Sequence, residues 1–292
     1  VKIYLELSIK KQSRLIISFK NILIIYINIM SVKNAGFTFD VGCGEPIAKV
    51  VKKQGDKSKK SQPIVHLDTD NEAFQKYPAI QLRDDETFQP VPNTEKERNI
   101  LYVTGASGSG KSYYTRAYAE EYKKKFPHNE IFLFSSIAED SSIDKIKDLQ
   151  RINIKNEDFL KDELTAKDFA NSLVIFDDTD VIPDKKVRSK VNAVRDSILE
   201  TGRHFKVYCV FTSHIACNAL ETKRILNESH SITFFPSSMN GKSLKYLVEG
   251  YLGFSKEQTN QIKNCDSRWV TVYKTYPQVI LTQKFCGLVK NL

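Results

Sequence analysis

No uninterrupted apolar run reaches the roughly 18 residues that a membrane-spanning helix needs, so no clear transmembrane segment is present. The five cysteines (Cys43, Cys209, Cys217, Cys265, Cys286) are odd in number and include no Cys-x-x-Cys pair. That argues against both a cysteine-rich zinc module and a disulfide framework, and makes a reducing compartment the default. No internal repeat is visible. Apolar residues are not scarce: they form 41% of 292 residues, enough for a core, which excludes a chain disordered throughout. Lysine and arginine outnumber aspartate and glutamate 44 to 35, a formal net charge of +9. This balance favours a polyanionic partner, but charge bears on association and not on a reaction.

Residues 1–29 contain nine isoleucines and lack Gly, Pro, Asp and Ala, and the first methionine is Met30. The bias matches translated AT-rich non-coding sequence upstream of a start codon. The rival reading is a targeting segment or anchor, but no small-residue cleavage site appears, and Lys20 and Asn21 interrupt the apolar run. The expected working protein is then residues 30–292, which is 263 residues at +5.

Residues 30–98 read as an N-terminal extension, with short strands at 36–41 and 63–67. Between them, KVVKKQGDKSKKSQ carries six lysines from Lys49 to Lys60 and has the composition of a loop or arm. PVPN at Pro90 to Asn93 breaks the chain before residues 99–292, where the pattern changes. Short apolar runs rich in β-branched and aromatic residues occur at ILYVT (100–104), IFLFSS (131–136), LVIFDD (173–178), KVYCVFTS (206–213) and SITFF (231–235). They are apolar on both faces, as buried parallel strands are. Helices are predicted over 112–125 and 184–200, the second from Val187, Val191, Val194 and Ile198, and another around Leu244 to Tyr251. WVTVYKT and QVILTQKF predict a terminal hairpin with Pro277 at its turn. The alternation predicts an α/β sandwich around a mainly parallel sheet.

GASGSGKS fits G-x-x-x-x-G-K-[ST] through Gly105, Gly110, Lys111 and Ser112. Glycines let the backbone wrap so that its N–H groups converge on phosphates, and the next helix adds its N-terminal partial charge there. The candidate nucleotide-binding residues are Gly105, Ala106, Ser107, Gly108, Ser109, Gly110, Lys111, Ser112 and Tyr113. Lys111 would reach the β and γ oxygens of ATP, and Ser112 would ligate Mg²⁺. Such a pattern arises by chance in on the order of one chain in a hundred of this length. Context distinguishes it from a Gly-Ser surface turn: it follows a predicted buried strand and opens a predicted helix.

LVIFDDTD carries Asp177 to the C-terminal end of a strand, where α/β proteins bind ligands. Asp177 is placed to hold Mg²⁺ through water, Asp178 to take a proton from an attacking water, and Asp180 is a third acid nearby. The alternative is that these acids cap the next element or occupy a solvated loop. KVYCVFTSH puts Ser213 and His214 at the next strand tip, to sense the γ-phosphate or hold the water, or to cap a helix beginning near Ala216. In ETGRH, Gly202 reads as a helix C-cap. Arg203 is either a finger that stabilises transition-state charge in a neighbouring subunit or an exposed complement to the helix dipole.

GASGSGKS, LVIFDDTD, TGRH and FTSH, in that order, resemble the FtsK/HerA-superfamily DNA-packaging ATPases of large DNA viruses and virophages. The resemblance covers residues 100–235 well and the rest loosely. It implies a P-loop sandwich of the ASCE/RecA-like kind with strand order 5-1-4-3-2. It also implies an ATP-driven motor, with Mg²⁺, that moves double-stranded DNA into a preformed capsid. Such a motor is a homo-oligomeric ring, hexameric or pentameric, at a capsid or portal-like vertex, with no membrane partner. It would act in the host cytoplasm or a viral factory, or travel with the virion. The chain departs from the wider superfamily in two places: Asp177-Asp178 stands where many members have Asp-Glu, and Ser213-His214 where they have Gln. A shorter acid must sit closer to its water. In ring motors of this type the segment after the acidic strand faces the channel, which makes Lys185, Lys186, Arg188 and Lys190 candidate DNA contacts by resemblance. As a charge run alone they would be a solvated helix face.

Other classes remain open at this stage. A helicase or conjugation-type pump shares the core. A small-metabolite kinase would need an Arg-rich lid, and no compact arginine cluster is present. A nucleotide-binding structural protein would not need the full Lys111, Ser112, Asp177 and Asp178 set.

Overall fold

A computed structural model describes residues 37–39, 44–52, 62–68, 79–217 and 222–289. The readings made for residues 1–29 and for the lysines of 53–60 lie outside the described residues.

The strands are β1 (Phe37–Phe39), β2 (Glu45–Lys52), β3 (Ile64–Leu67), β4 (Ala79–Gln81), β5 (Glu86–Pro90), β6 (Ile100–Thr104), β7 (Ile131–Ser135), β8 (Leu149–Arg151), β9 (Leu173–Asp177), β10 (Tyr208–Ser213), β11 (Ser231–Phe234), β12 (Val270–Tyr273), β13 (Val279–Thr282) and β14 (Phe285–Leu288). The helices are α1 (Lys111–Lys125), α2 (Glu157–Lys161), α3 (Lys185–Thr201), α4 (Lys223–Glu228), α5 (Gly241–Lys245), continued as a π-turn, and α6 (Lys256–Lys263).

Ten strands form one sheet, in the order β4-β14-β13-β12-β11-β6-β10-β9-β7-β8. From β11 to β8 every pairing is parallel. Numbering the strand before the phosphate loop as first, β11-β6-β10-β9-β7 is the expected order 5-1-4-3-2. The five predicted runs are these five strands, and all residues of β6, β9, β10 and β11 are buried. Register aligns an aromatic row across them. Phe134, Phe176 and Phe211 are opposite one another on β7, β9 and β10, with ring centroids 5.0 Å apart at each step. Tyr102 of β6 continues the row. Each such ring contributes on the order of 1.5–3 kcal/mol by leaving water.

Helix α3 covers this aromatic face with Val187, Val191, Val194 and Ile198, the predicted stripe. Helix α1 covers the other face with Tyr114, Tyr118, Ala119 and Tyr122. Asp184 caps α3 by accepting from the N–H groups of Lys186 and Val187.

A second sheet, β1-β3-β2-β5, packs its Ile47, Val50, Val65 and Phe88 into the same cluster as α1. Here the sequence reading needs correcting. Lys49 and Lys52 belong to strand β2, not to an arm. Lys49 is buried and donates to Glu121 Oε1 at 2.8 Å, so a lysine that reads as solvated is an internal ion-pair partner of α1. The terminal hairpin is also longer than predicted. QVILTQKF is two strands, because Thr282 Oγ1 accepts from the N–H groups of Lys284 and Phe285 and folds the chain into β14. Ala216 does not begin a helix; α4 starts at Lys223.

Candidate nucleotide site

The parallel strands end along one edge of the sheet, and their polar last residues meet there. The phosphate loop leaves β6 with Gly105 N–H donating to Ser213 O at 3.2 Å. Its bends use Gly108 (φ 74°) and Gly110 (φ 114°), a left-handed region that side chains resist. Ser109 Oγ is buried inside the loop and makes no hydrogen bond within the protein. It lies over Gly105, a close approach that the missing Cβ of that glycine permits.

Lys111 opens α1 with its side chain buried. Its Nζ donates to Gly105 O at 3.0 Å, meets His214 Nδ1 at 3.1 Å and lies 4.0 Å from Asp178 Oδ2. An ammonium has only donors, so His214 Nδ1 accepts and its Nε2 carries the proton toward Asp178 Oδ2, 2.8 Å away. Burial pulls the Lys111 ammonium below its usual range, and Asp178, Asp177 and Asp180 oppose this.

Asp177 ends β9, directly opposite Ser135 of β7. Its Oδ2 accepts from Ser135 at 3.1 Å and its Oδ1 from Thr212 at 2.8 Å. Burial raises its carboxyl above the usual range, with the Thr212 hydrogen bond opposing and the Asp178 charge adding. Asp178 follows in a left-handed conformation (φ 47°), which costs about 1–3 kcal/mol in a non-glycine residue and turns the side chain out of strand alternation. Its N–H donates to Thr212 Oγ1 at 3.0 Å. Thr212 has one hydroxyl proton for two carboxylates. Asp177 at 2.8 Å takes it over Asp178 at 3.3 Å, so Asp178 Oδ1 keeps acceptor capacity. Burial raises the Asp178 carboxyl too, and Lys111 and His214 pull it back.

Ser112 Oγ donates to Asp140 Oδ2 at 3.0 Å. Asp140 stays below the usual carboxylate range: partial burial acts against this, but the N–H groups of Ile143 and Ser142 and the Ser112 hydroxyl outweigh it. Arg268, just before β12, donates from Nε to Ser109 O at 3.1 Å. These groups line a cleft of about 510 Å³, with Lys111, Asp177, Asp178 and His214 on its walls. Hydroxyl and carboxylate oxygens are the donors Mg²⁺ takes, one or two from protein and the rest from phosphates and water. Among the described residues no group of three His, Cys, Asp or Glu is poised to hold a metal alone. The donor set therefore suits an Mg²⁺ that would take most of its ligands from outside the protein.

The structure thus brings together Gly105 to Ser112, Asp177, Asp178 and His214. Tyr113, also in the predicted set, lines the same cleft but is 70% exposed. Ser213 is not in the cleft. Its hydroxyl donates to Asp180 Oδ2 at 2.8 Å and accepts from Ile215 N–H, so it shapes the turn. Arg203 lies beyond α3, near the start of β10 and therefore at the opposite edge of the sheet, exposed and paired with Glu97 at 2.9 Å. Lys185 and Lys186 are exposed on the first turn of α3, with Arg188 and Lys190 half-buried behind them. Sequence reasoning missed Ser135, Thr212, Asp140 and Arg268.

No family model matches the chain. Among solved structures it is similar to the DNA-packaging ATPase B204 from Sulfolobus Turreted Icosahedral Virus, at 17% identity over 65% of this chain and 98% of that one, with a TM-score of 0.46. The pCW3 conjugation coupling protein TcpA is similar at 12% identity over 82% of this chain and 77% of that one, TM-score 0.41. The uncharacterized protein V3 of Sputnik virophage is 38% identical over 195 residues, 66% of this chain and 78% of V3. The chain belongs to the family of this virophage protein.

Proposed function

We propose that the protein is an ATP-hydrolysing motor of the FtsK/HerA kind that moves double-stranded DNA into a preformed capsid. The hydrolytic reading rests on one observation: Asp178, with acceptor capacity at Oδ1, lies beside Lys111 and His214 in the cleft above a phosphate loop. In this reading the loop N–H groups and Lys111 hold the phosphates, and Ser112 and Asp177 would hold Mg²⁺. The ion, when bound, neutralises charge on the β and γ oxygens. Asp178 Oδ1 orients the attacking water and takes its proton, which its raised pKa favours. Once Lys111 turns to phosphate, His214 still holds Asp178 in place through Nε2.

The assignment of the partner rests on the residue resemblance, on membership of a virophage family and on the exposure of Lys185 and Lys186 at the start of α3, just past its Asp184 cap, with Arg188 half-buried behind them. Such cations are the contacts that a duplex phosphate backbone takes. Arg203, at the far edge of the sheet, acts only if a ring packs it against a neighbour's cleft. Among the described residues no helix is long and apolar enough to cross a membrane.

The test is ATPase activity with and without linear duplex DNA. Stimulation by duplex that is lost in Lys111→Ala supports the motor. Slow turnover indifferent to DNA, or phosphate transfer to a metabolite, overturns it.

A further inference from the structure

A serine hydroxyl has one proton and two lone pairs. To serve a metal through a lone pair, Ser112 must send its proton elsewhere. Its Oγ donates to Asp140 Oδ2 at 3.0 Å. The two oxygens of Asp177 are met by other hydroxyls, Oδ2 by Ser135 and Oδ1 by Thr212. The Ser112 proton therefore goes to an acid from a different strand end, in the loop that follows β7.

Asp140 is firmly held. Its other oxygen, Oδ1, accepts from the N–H groups of Ser142 and Ile143, both at 2.7 Å, which fixes the plane of the carboxylate. Ile143 is fully buried in the same cluster as Tyr114 and Tyr118 of α1, the helix that carries Ser112. The loop is tied a second time. Asp140 N–H donates to Asp144 Oδ2 at 2.7 Å, and Arg151 of β8 pairs with Asp144 Oδ1 and donates to Ile137 O at 2.8 Å. Asp140 and Ser112 both face the cleft. Among the described residues Asp140 forms no metal-holding cluster with Asp177 and Asp178, so its reach to a metal runs through Ser112.

We infer that Asp140 is the positioning residue of Ser112: it takes the hydroxyl proton, leaves the lone pairs of Oγ for the ion, and adds a negative charge behind the ligand. The inference rests on the metal reading proposed above. Mg²⁺ demands near-ideal ligand directions, and a partner one shell out from a ligand typically carries about 10- to 100-fold in metal affinity.

The test reads metal binding and not turnover. The full chain carrying one equivalent of ADP is titrated with Mn²⁺ in place of Mg²⁺, and free Mn²⁺ is followed by its electron paramagnetic resonance signal. Asp140→Asn keeps an oxygen for the turn but presents an amide where Ser112 needs an acceptor. It is expected to weaken Mn²⁺ binding by about tenfold or more, while ADP without metal binds as tightly as before or tighter, because an anion near the phosphates has gone. Asp140→Ser still caps the turn but falls short of Ser112, and it is expected to match Asp140→Asn. In a Ser112→Ala background, adding Asp140→Asn is expected to cost no more than about twofold further. A loss as large without the Ser112 hydroxyl as with it, or no loss in either Asp140 variant, overturns the inference and leaves the metal reading standing. So does loss of metal-free ADP binding in both Asp140 variants, which would mark a purely structural loop residue. Mn²⁺ bound equally by the unaltered protein and Ser112→Ala, or by neither, overturns the metal reading and the inference together.

Discussion

Thr212 is the most informative single atom change in the site. Its hydroxyl accepts from Asp178 N–H and donates to Asp177 Oδ1, and all three groups are buried. Thr212→Val keeps the shape and removes only that oxygen. A buried polar group left without its partner costs about 1–3 kcal/mol, and here two are left, the Asp178 amide and one Asp177 oxygen. Part of the loss falls on stability. At about 1–3 kcal/mol it lowers Tm by roughly 2–4 °C per kcal/mol in a chain somewhat smaller than this one. The rest falls on catalysis: Asp178 sits on a left-handed backbone held by that amide bond, and misplacement by about 1 Å costs on the order of a hundredfold.

The expected result is therefore a kcat reduced about 10- to 100-fold, with KM for ATP changed less than about threefold, because Thr212 does not line the cleft. Thr212→Ser, which keeps the hydroxyl, should retain most of the rate. The pH profile supplies the readout that a purely structural role would not move. In the proposed mechanism the ionised Asp178 is the base, so kcat should rise with pH through its folded pKa. The Thr212 hydrogen bond lowers the pKa of both acids. Its removal should therefore move the acidic limb to higher pH. If Thr212→Val melts earlier but matches Thr212→Ser in kcat and in the position of the limb, the hydroxyl has no part in placing the acids.

Three further outcomes are expected. Asp177→Asn should abolish hydrolysis yet raise the Tm of the nucleotide-free protein at neutral pH, since burial raises the folded pKa of Asp177. The stability linked to that carboxyl is full below the ordinary carboxylate pKa and is lost as pH rises through the raised one, so melting curves of the two proteins should converge in acid. Arg203→Ala should leave Tm almost unchanged, because its pair with Glu97 is exposed on both sides. Mixing it with Lys111→Ala should restore part of the activity if the arginine serves a neighbour; no recovery at any mixing ratio counts against the finger. Neutralising Lys185, Lys186 and Arg188 together should reduce DNA stimulation and spare basal turnover. The salt slope of DNA binding should shrink by up to about 2.7, at about 0.9 per phosphate contact; an unchanged slope refutes contact at α3.

The strands around the site were legible because parallel strands buried on both faces read as short apolar runs, and the loop because its glycines and lysine lie within eight consecutive residues. Strand order came with the resemblance, since periodicity does not say which strands are neighbours. Lys49 was misread because the acid that buries it, Glu121, is 72 residues away. Thr212, Ser135 and Arg268 escaped for the same reason: each acquires its role from a strand or loop distant in sequence. Part of that information was nevertheless present. Thr104, Ser135, Asp177 and Ser213 are each the last residue of an apolar run, and register sets Ser135 opposite Asp177 and Ser213 opposite Thr104. Parallel strands in a sheet of this kind bind at their C-terminal edge. A polar residue closing a doubly buried run is therefore a candidate for the site or for the turns beside it, as Asp177 and Ser213 respectively show. The same rule singles out Thr104, whose Oγ1 is buried without a hydrogen-bond partner in the protein, at the start of the phosphate loop.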